Sequence, residues 1–193
     1  LALPDTLQAA ITNRIDSLNP AQQMTLKVAS VIGRNFAFRV LQAVHPIEAD
    51  KPALQHCMET LTSLSLTLVE SEAPDLAYIF KHALTQEVTY NLMLFSQRRQ
   101  LHQAVAEWLE KNYEKNLETY YILLAHHWSQ AAETTGAQRN ETALLKAVEY
   151  LDKAGEQAVQ NYANKEVIQF FGQALALDDK LPGPEVGRVA RER

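Results

Sequence analysis

The chain has 193 residues, 47% of them hydrophobic and 21% charged, so it can bury a sizeable core as one large domain or two small ones. A formal net charge of −5 argues against a general binder of nucleic-acid backbones, because such binding needs an excess of Lys and Arg. The single cysteine, Cys57, excludes an intrachain disulfide and a cysteine-based metal cluster and predicts a reducing, cytoplasmic setting. No membrane partner is expected, because no apolar run approaches roughly 18 residues and the signal-peptide pattern is missing.

Apolar residues in the N-terminal part recur at intervals of three and four, which is typical of amphipathic helices. Asn19 and Pro20 suit the N-cap and first position of a second helix, and Gly33 suits its end. Pro46 ends the third helix, because the residue before a proline disfavours helical geometry. The predicted helices cover residues 3–18, 20–33, 36–44 and 50–65.

Two β-favouring runs, Thr67–Glu70 and Leu76–Phe80, follow these helices and flank a turn that contains Pro and Asp. Three short helices followed by a two-stranded wing predict a winged helix-turn-helix domain over residues 1–95, with the first helix, 3–18, leading into it. A DNA-binding transcription regulator is one reading of this outline. The helix 50–65 argues against it, because Lys51 is its only basic side chain for phosphates or base edges.

Amphipathic helices continue from Ser96 and predict antiparallel helix pairs over residues 96–193. The last pair partly matches the tetratricopeptide pattern, which repeats about every 34 residues. Gly155, Phe171 and Ala174 fit that pattern as residues that let two helices approach closely, whereas Tyr162 stands where a small residue is usual. The regular structure is expected to end at Pro182–Pro184. The predicted fold class is therefore mainly α, with one short β-hairpin and tetratricopeptide-like helix pairs.

Motifs of catalysis are missing from the chain, which contains no GxxxxGK[ST], GxGxxG, GxSxG or HExxH sequence, so we do not expect it to be an enzyme. His126 and His127 are adjacent, but neighbours on a helix point in different directions and no carboxylate pair lies four residues away, so no metal is predicted. Cys57 has no basic neighbour that would lower its pKa and is interpreted as a buried, inert thiol.

His82 is the one candidate binding residue, because it falls where the second strand ends and a helix begins. A helix N-terminus offers backbone N–H groups and the positive end of the helix dipole, which favour a phosphate. A histidine at that point can add a hydrogen-bond donor, or it can simply cap the helix or pack.

The chain resembles the region that follows the nucleotide-binding core in the STAND class of signal-transduction ATPases. The resemblance is strongest to large bacterial proteins that join an adenylate or guanylate cyclase domain, or a protein kinase, to an AAA-like ATPase and tetratricopeptide repeats. It covers nearly the whole chain and is carried by Leu3–Leu7, Arg14–Leu18, Ala29–Phe36, Phe80–Val88 and Leu124–Trp128.

This resemblance implies that the winged helix folds back on an upstream ATPase domain of the same chain, to which the first helix, 3–18, links it. His82 matches the histidine of the Met-His-Asp motif, which contacts the β-phosphate of bound ADP, although Lys81 and Ala83 stand where the motif has Met and Asp. ADP or ATP is then the cofactor of a longer parent protein, from which a chain beginning at Leu1 looks excised. The helical region would bind an unidentified protein or effector. A free-standing helical scaffold without a nucleotide is the other alternative.

Overall fold

The computed structural model describes residues 5–133 and 140–178. The predictions made for residues 1–4 and for Pro182–Pro184 lie outside these ranges. The chain is mainly α-helical with one small antiparallel sheet, as the sequence predicts. It divides into two compact units, one ending at Leu101 and one beginning at His102. The predicted boundary lay at residues 95 and 96, where the helix that contains this division begins.

The first unit consists of five helices, a short 3₁₀ segment and three strands, followed by the start of a sixth helix. The helices are α1 (Asp5–Asp16), α2 (Pro20–Ile32), α3 (Phe38–Val44), α4 (Leu54–Ser63), α5 (Ala83–Asn91) and α6 (Phe95–Asn112). The strands are β1 (Asn35–Ala37), β2 (Thr67–Ser71) and β3 (Ala77–Phe80). α2 contacts α3, α4 and α5, so it is the central helix of this unit.

Local signals determine both ends of α2. The Asn19 side chain accepts a hydrogen bond from the Gln22 N–H at 2.9 Å, and the Gln22 side chain accepts one from the Asn19 N–H at 3.1 Å. This reciprocal pair is a capping box, and Pro20 occupies the first turn as expected. Gly33 ends the helix with φ +152° and ψ 179°, a conformation that residues with a Cβ rarely adopt.

The sheet has the strand order β1-β3-β2, and both pairings are antiparallel. The predicted hairpin is therefore present, but the sequence missed the third strand. Phe36 was placed in a helix on the basis of its spacing from Val40, whereas it lies in β1 opposite Tyr78, with the two rings stacked at 6.0 Å. A three-residue strand has too few positions to show a period of two, and its pairing partner lies far along the chain.

The predicted helix 50–65 is shorter than expected. A 3₁₀ segment, Glu48–Ala53, contains Pro52, and α4 begins only after it, at Leu54. Proline lacks the N–H that an α-helix interior requires, which explains the delayed start. α4 ends at Ser63, and Ser65, with a φ of 57°, lies in the turn that leads into β2. The largest fully buried side chains of the unit form its core: Ile15, Leu26, Leu41, Leu54, Met58, Leu61, Leu66 and Phe80.

The second unit is entirely helical in the residues that the structure describes. It contains the rest of α6, a 3₁₀ segment (Glu114–Tyr120), α7 (Tyr121–Ala132), α8 (Glu141–Gln160) and α9 (Asn164–Asp178). α8 packs against both α7 and α9. Only three residues connect α8 to α9, and these two helices form the predicted helical hairpin.

Gly155 allows α8 and α9 to approach closely. A Cβ atom at this position would lie 2.7 Å from the ring of Phe171, which is shorter than a normal contact, and Ala174 is buried beside it. Tyr162 takes φ 56° at the end of α8 and is 90% exposed. A left-handed residue commonly ends a helix, usually as Gly, which explains why a small residue is the usual choice here.

Candidate functional site

His82 lies between β3 and α5, at the predicted strand-to-helix junction. Its backbone is extended (φ −127°, ψ 133°), and its carbonyl accepts a hydrogen bond from the Thr85 N–H at 3.0 Å. The imidazole is exposed and makes no capping hydrogen bond to α5. The His82 side chain therefore does not cap α5.

Backbone contacts with the rest of the first unit hold the junction in place. The Phe80 N–H donates to the Arg34 carbonyl at 2.9 Å, and the Lys81 N–H donates to the Leu66 carbonyl at 3.1 Å. Phe80 is fully buried, and the Gln86 side chain donates to the Ser30 carbonyl at 3.1 Å, which ties α5 to the end of α2. The exposed imidazole is therefore attached to a fixed backbone.

Two basic residues border the strand-to-helix junction. Arg34 and Lys81 are both exposed, and their backbones border the junction through the hydrogen bonds just described. The first turn of α5 carries no acidic residue. The positive end of the helix dipole and an exposed imidazole, with two basic residues next to the junction, suit an anion such as a phosphate.

The exposed face of α4 offers no comparable set of cations. Gln55, His56 and Glu59 are exposed there, and Lys51 of the preceding 3₁₀ segment pairs with Glu48. The His56 imidazole lies 3.8 Å from the Glu59 carboxylate. This face therefore lacks the Arg and Lys side chains with which a recognition helix contacts DNA phosphates. Cys57 is buried on the opposite face, where burial raises the pKa of its thiol, as expected for an inert thiol.

A groove of about 760 Å³ crosses the second unit between α7 and α9, with α8 as its floor. Its lining mixes apolar and polar side chains: Thr119, Ile122, Leu123, Ala125, His126, Ser129, Gln130, Glu133, Leu151, Gln169, Phe170, Gln173, Ala176 and Leu177. The Ser129 hydroxyl is buried there without a hydrogen-bond partner. Ile122 and Leu123 are exposed along one wall, so the groove presents apolar surface together with side-chain amides and hydroxyls.

Three histidines of the second unit converge next to this groove. The Nδ1 atoms of His102 on α6 and His127 on α7 lie 2.8 Å apart, and both side chains are buried. His126 lies beside them, exposed at the groove, and one nitrogen from each ring lies within 4.8 Å of the other two. The sequence argument against a metal considered only residues on the same helix and missed His102. The available signal was a histidine within the apolar stripe of α6 between Leu101 and Val105.

Burial favours the neutral forms of His126 and His127. Desolvation lowers the pKa of His127 well below its ordinary value, and the neighbouring His102 and His126 lower it further. Desolvation also lowers the pKa of His126, although one edge of its ring is exposed. A neutral imidazole has a free nitrogen lone pair, which is the form that ligates a metal ion.

A polar network joins α6, α7 and α8 close to the histidines. The Trp128 indole N–H donates to Glu110 Oε1 at 3.2 Å, and Lys146 Nζ lies 3.1 Å from the same oxygen. Glu110 also interacts with the Tyr150 hydroxyl, whose pKa is raised mainly by burial. Trp128 is buried, whereas Trp108 is only half-buried, with its ring against Tyr113.

Comparison with known proteins gives one distant relative. No family model matches the chain, and no solved structure matches it. The chain is 28% identical over 171 residues to a protein of Rhizobium meliloti (strain 1021) described as uncharacterized. The match covers 88% of this chain but only 15% of the relative's length. Among the described helices, none has the length and apolar composition that crossing a bilayer requires.

Proposed function

We propose that this chain is a non-catalytic regulatory module of a larger, cytoplasmic signal-transduction ATPase of the STAND type. The first unit is a winged helix that relays the nucleotide state of an upstream ATPase domain, and the second is a tetratricopeptide-like region that binds a partner. The observation that carries the proposal is the exposed His82 imidazole on a fixed strand-to-helix junction, bordered by Arg34 and Lys81.

The winged-helix assignment rests on the order of elements in the first unit. Helices α2, α3 and α4 precede the hairpin of β2 and β3, and β1 adds a third strand beside β3. In such a domain the third helix reads DNA only if it carries suitable polar and basic groups. The exposed face of α4 lacks these, which favours a contact within the parent protein over a contact with DNA.

ADP would be recognised at the junction through its β-phosphate. The N–H groups of Ala83 and Leu84, which precede Thr85 in the first turn of α5, have no intrahelical acceptors, and His82 adds a side-chain donor beside them. The α- and γ-phosphates, the metal ion and the chemistry of hydrolysis belong to the upstream domain in this account. Loss of the contact upon nucleotide exchange would free the first unit and transmit the change along the chain.

The second unit would bind its protein or effector in the groove between α7 and α9. The groove offers exposed apolar residues for anchoring and the side-chain amides of Gln130, Gln169 and Gln173 for orientation. Ligand sites commonly combine an apolar lining with a few such polar groups. The R. meliloti relative supports a role as part of a larger protein, since this chain matches only 15% of its length.

The test is the amount of ADP that the purified longer natural protein retains, with wild type compared with His82→Ala. Loss of one hydrogen bond to a charged phosphate costs about 1.5–3 kcal/mol, so we expect ADP affinity to fall roughly 10- to 100-fold. His56→Ala is the matched control, because His56 is an exposed histidine of the same unit that lies away from the junction.

Equal ADP retention in His82→Ala and in wild type would refute the sensor role of this residue. Absence of a phosphate loop in the few hundred residues before Leu1 would refute the proposal as a whole. Salt-dependent binding of this chain to DNA in a gel-shift titration would instead favour a transcription regulator.

A further inference from the structure

We propose that His102, His126 and His127 form a zinc-binding site in the second unit. The ring centroids of the three imidazoles lie 5.0–5.6 Å apart, so each ring is adjacent to both others. The ligand nitrogens all lie within 4.8 Å of one another. The site involves neither His82 nor a nucleotide, and it is therefore independent of the proposed signalling role.

The distances suit a tetrahedral ion after small side-chain movements. Zn–N bonds are about 2.0–2.1 Å long, which places tetrahedral ligand nitrogens about 3.3–3.4 Å apart. The observed separation of 2.8 Å between the Nδ1 atoms of His102 and His127 must widen slightly, and His126 must move closer. His126 is exposed and can rotate most easily, so it makes the larger movement and the two buried rings shift only slightly.

Without an ion, the cluster leaves His127 incompletely bonded. One of the two Nδ1 atoms must donate and the other accept, which requires different tautomers in His102 and His127. In either arrangement Nε2 of His127 is buried and has no hydrogen-bond partner. A buried polar atom without a hydrogen-bond partner destabilises the folded protein. An ion would bind one nitrogen of each ring and replace the hydrogen bond between the two Nδ1 atoms, so the rings could reorient.

The ligand chemistry selects the metal. Three neutral imidazoles suit zinc and its neighbours in the first transition row, whereas calcium and magnesium require oxygen ligands. Three protein ligands leave the fourth position of a tetrahedral ion for water or another donor. His126 also lines the groove between α7 and α9, so the ion would lie next to that groove.

Zinc titration of the 193-residue chain tests the site. The chain is stripped with a chelator and titrated with zinc against a chromophoric competitor, and bound zinc is measured by mass spectrometry. We expect one zinc ion per chain. His126→Ala should weaken binding at least roughly 10- to 100-fold, since loss of even an outer partner of a metal ligand has that effect.

His126→Ala is the principal variant because its exposed position leaves the core intact, and His56→Ala is the control. Zinc X-ray absorption of the wild type provides a measurement that does not depend on any variant folding, and it should show three imidazole ligands. Failure to bind one zinc ion, or fewer than three imidazoles in the spectrum, would overturn the proposal. Equal affinity in wild type, His126→Ala and His56→Ala would show an adventitious surface ion and would also overturn it.

Discussion

The contact between Gly155 and Phe171 shows how one residue sets the distance between two helices. Gly155 lies inside α8, where glycine costs helix stability relative to alanine, by about 1 kcal/mol. The close approach of the Phe171 ring accounts for its presence, because any Cβ would lie 2.7 Å from that ring. Gly172, on α9, provides a direct comparison, since a Cβ there would have no atom within 4 Å.

These two glycines give opposite predictions for the same substitution. Gly155→Ala should lower the free energy of unfolding by about 1–2 kcal/mol, because the Phe171 ring must move out of its packed position. Gly172→Ala should raise it by about 0.5–1 kcal/mol through helix propensity alone. Thermal and urea unfolding of both variants provide the measurement. Stabilisation of equal size at both positions would contradict the close packing of α8 and α9.

At the level of single residues, the sequence predicted those features that are determined by residues close by along the chain. The cap at Asn19, the end at Gly33 and the position of His82 all follow from local signals. The proximity of His102 and His127 could not be predicted in this way, because 25 positions separate them and only helix packing brings them together. Spacing rules describe one helix at a time.

At the level of elements, Trp128 holds three helices of the second unit together. The indole is buried on α7, and its N–H reaches Glu110 on α6, which also pairs with Lys146 on α8. The other tryptophan, Trp108 on α6, is only half-buried. A truncation to alanine therefore removes a fully buried side chain at position 128 and a half-buried one at position 108.

Trp128→Ala should cost about 3–5 kcal/mol of unfolding free energy, as large core truncations do. Trp108→Ala should cost clearly less, because part of its ring is already in contact with water. Chemical denaturation of both variants, with far-UV circular dichroism as the probe, distinguishes them. Equal losses at the two positions would contradict the difference in burial.

Elements were predictable where they were long or followed by clear breaks. Helical periodicity identified the last helix pair, α8 and α9, and β-favouring runs identified β2 and β3. β1 was missed because the apolar spacing from Phe36 to Val40 also fits a helix. Its strand conformation depends on pairing with β3, which no local pattern records.

At the level of the whole molecule, the two units carry separate features. The first presents a histidine and two cationic residues at the start of α5, and the second presents a groove beside three histidines. The chain corresponds to a small part of its R. meliloti relative, so each feature is proposed to serve a larger protein. We propose that the first unit detects whether ADP or ATP is bound through the N-terminus of α5.

Hydrogen exchange of the longer natural protein in its ADP-bound and ATP-bound forms tests this claim most directly. A phosphate contact protects backbone amides that otherwise open to solvent, so residues 83–86 should exchange more slowly in the ADP-bound form. The amides of α4, Leu54–Ser63, serve as the internal reference and should not change. Equal exchange of residues 83–86 in the two forms would contradict the proposed relay.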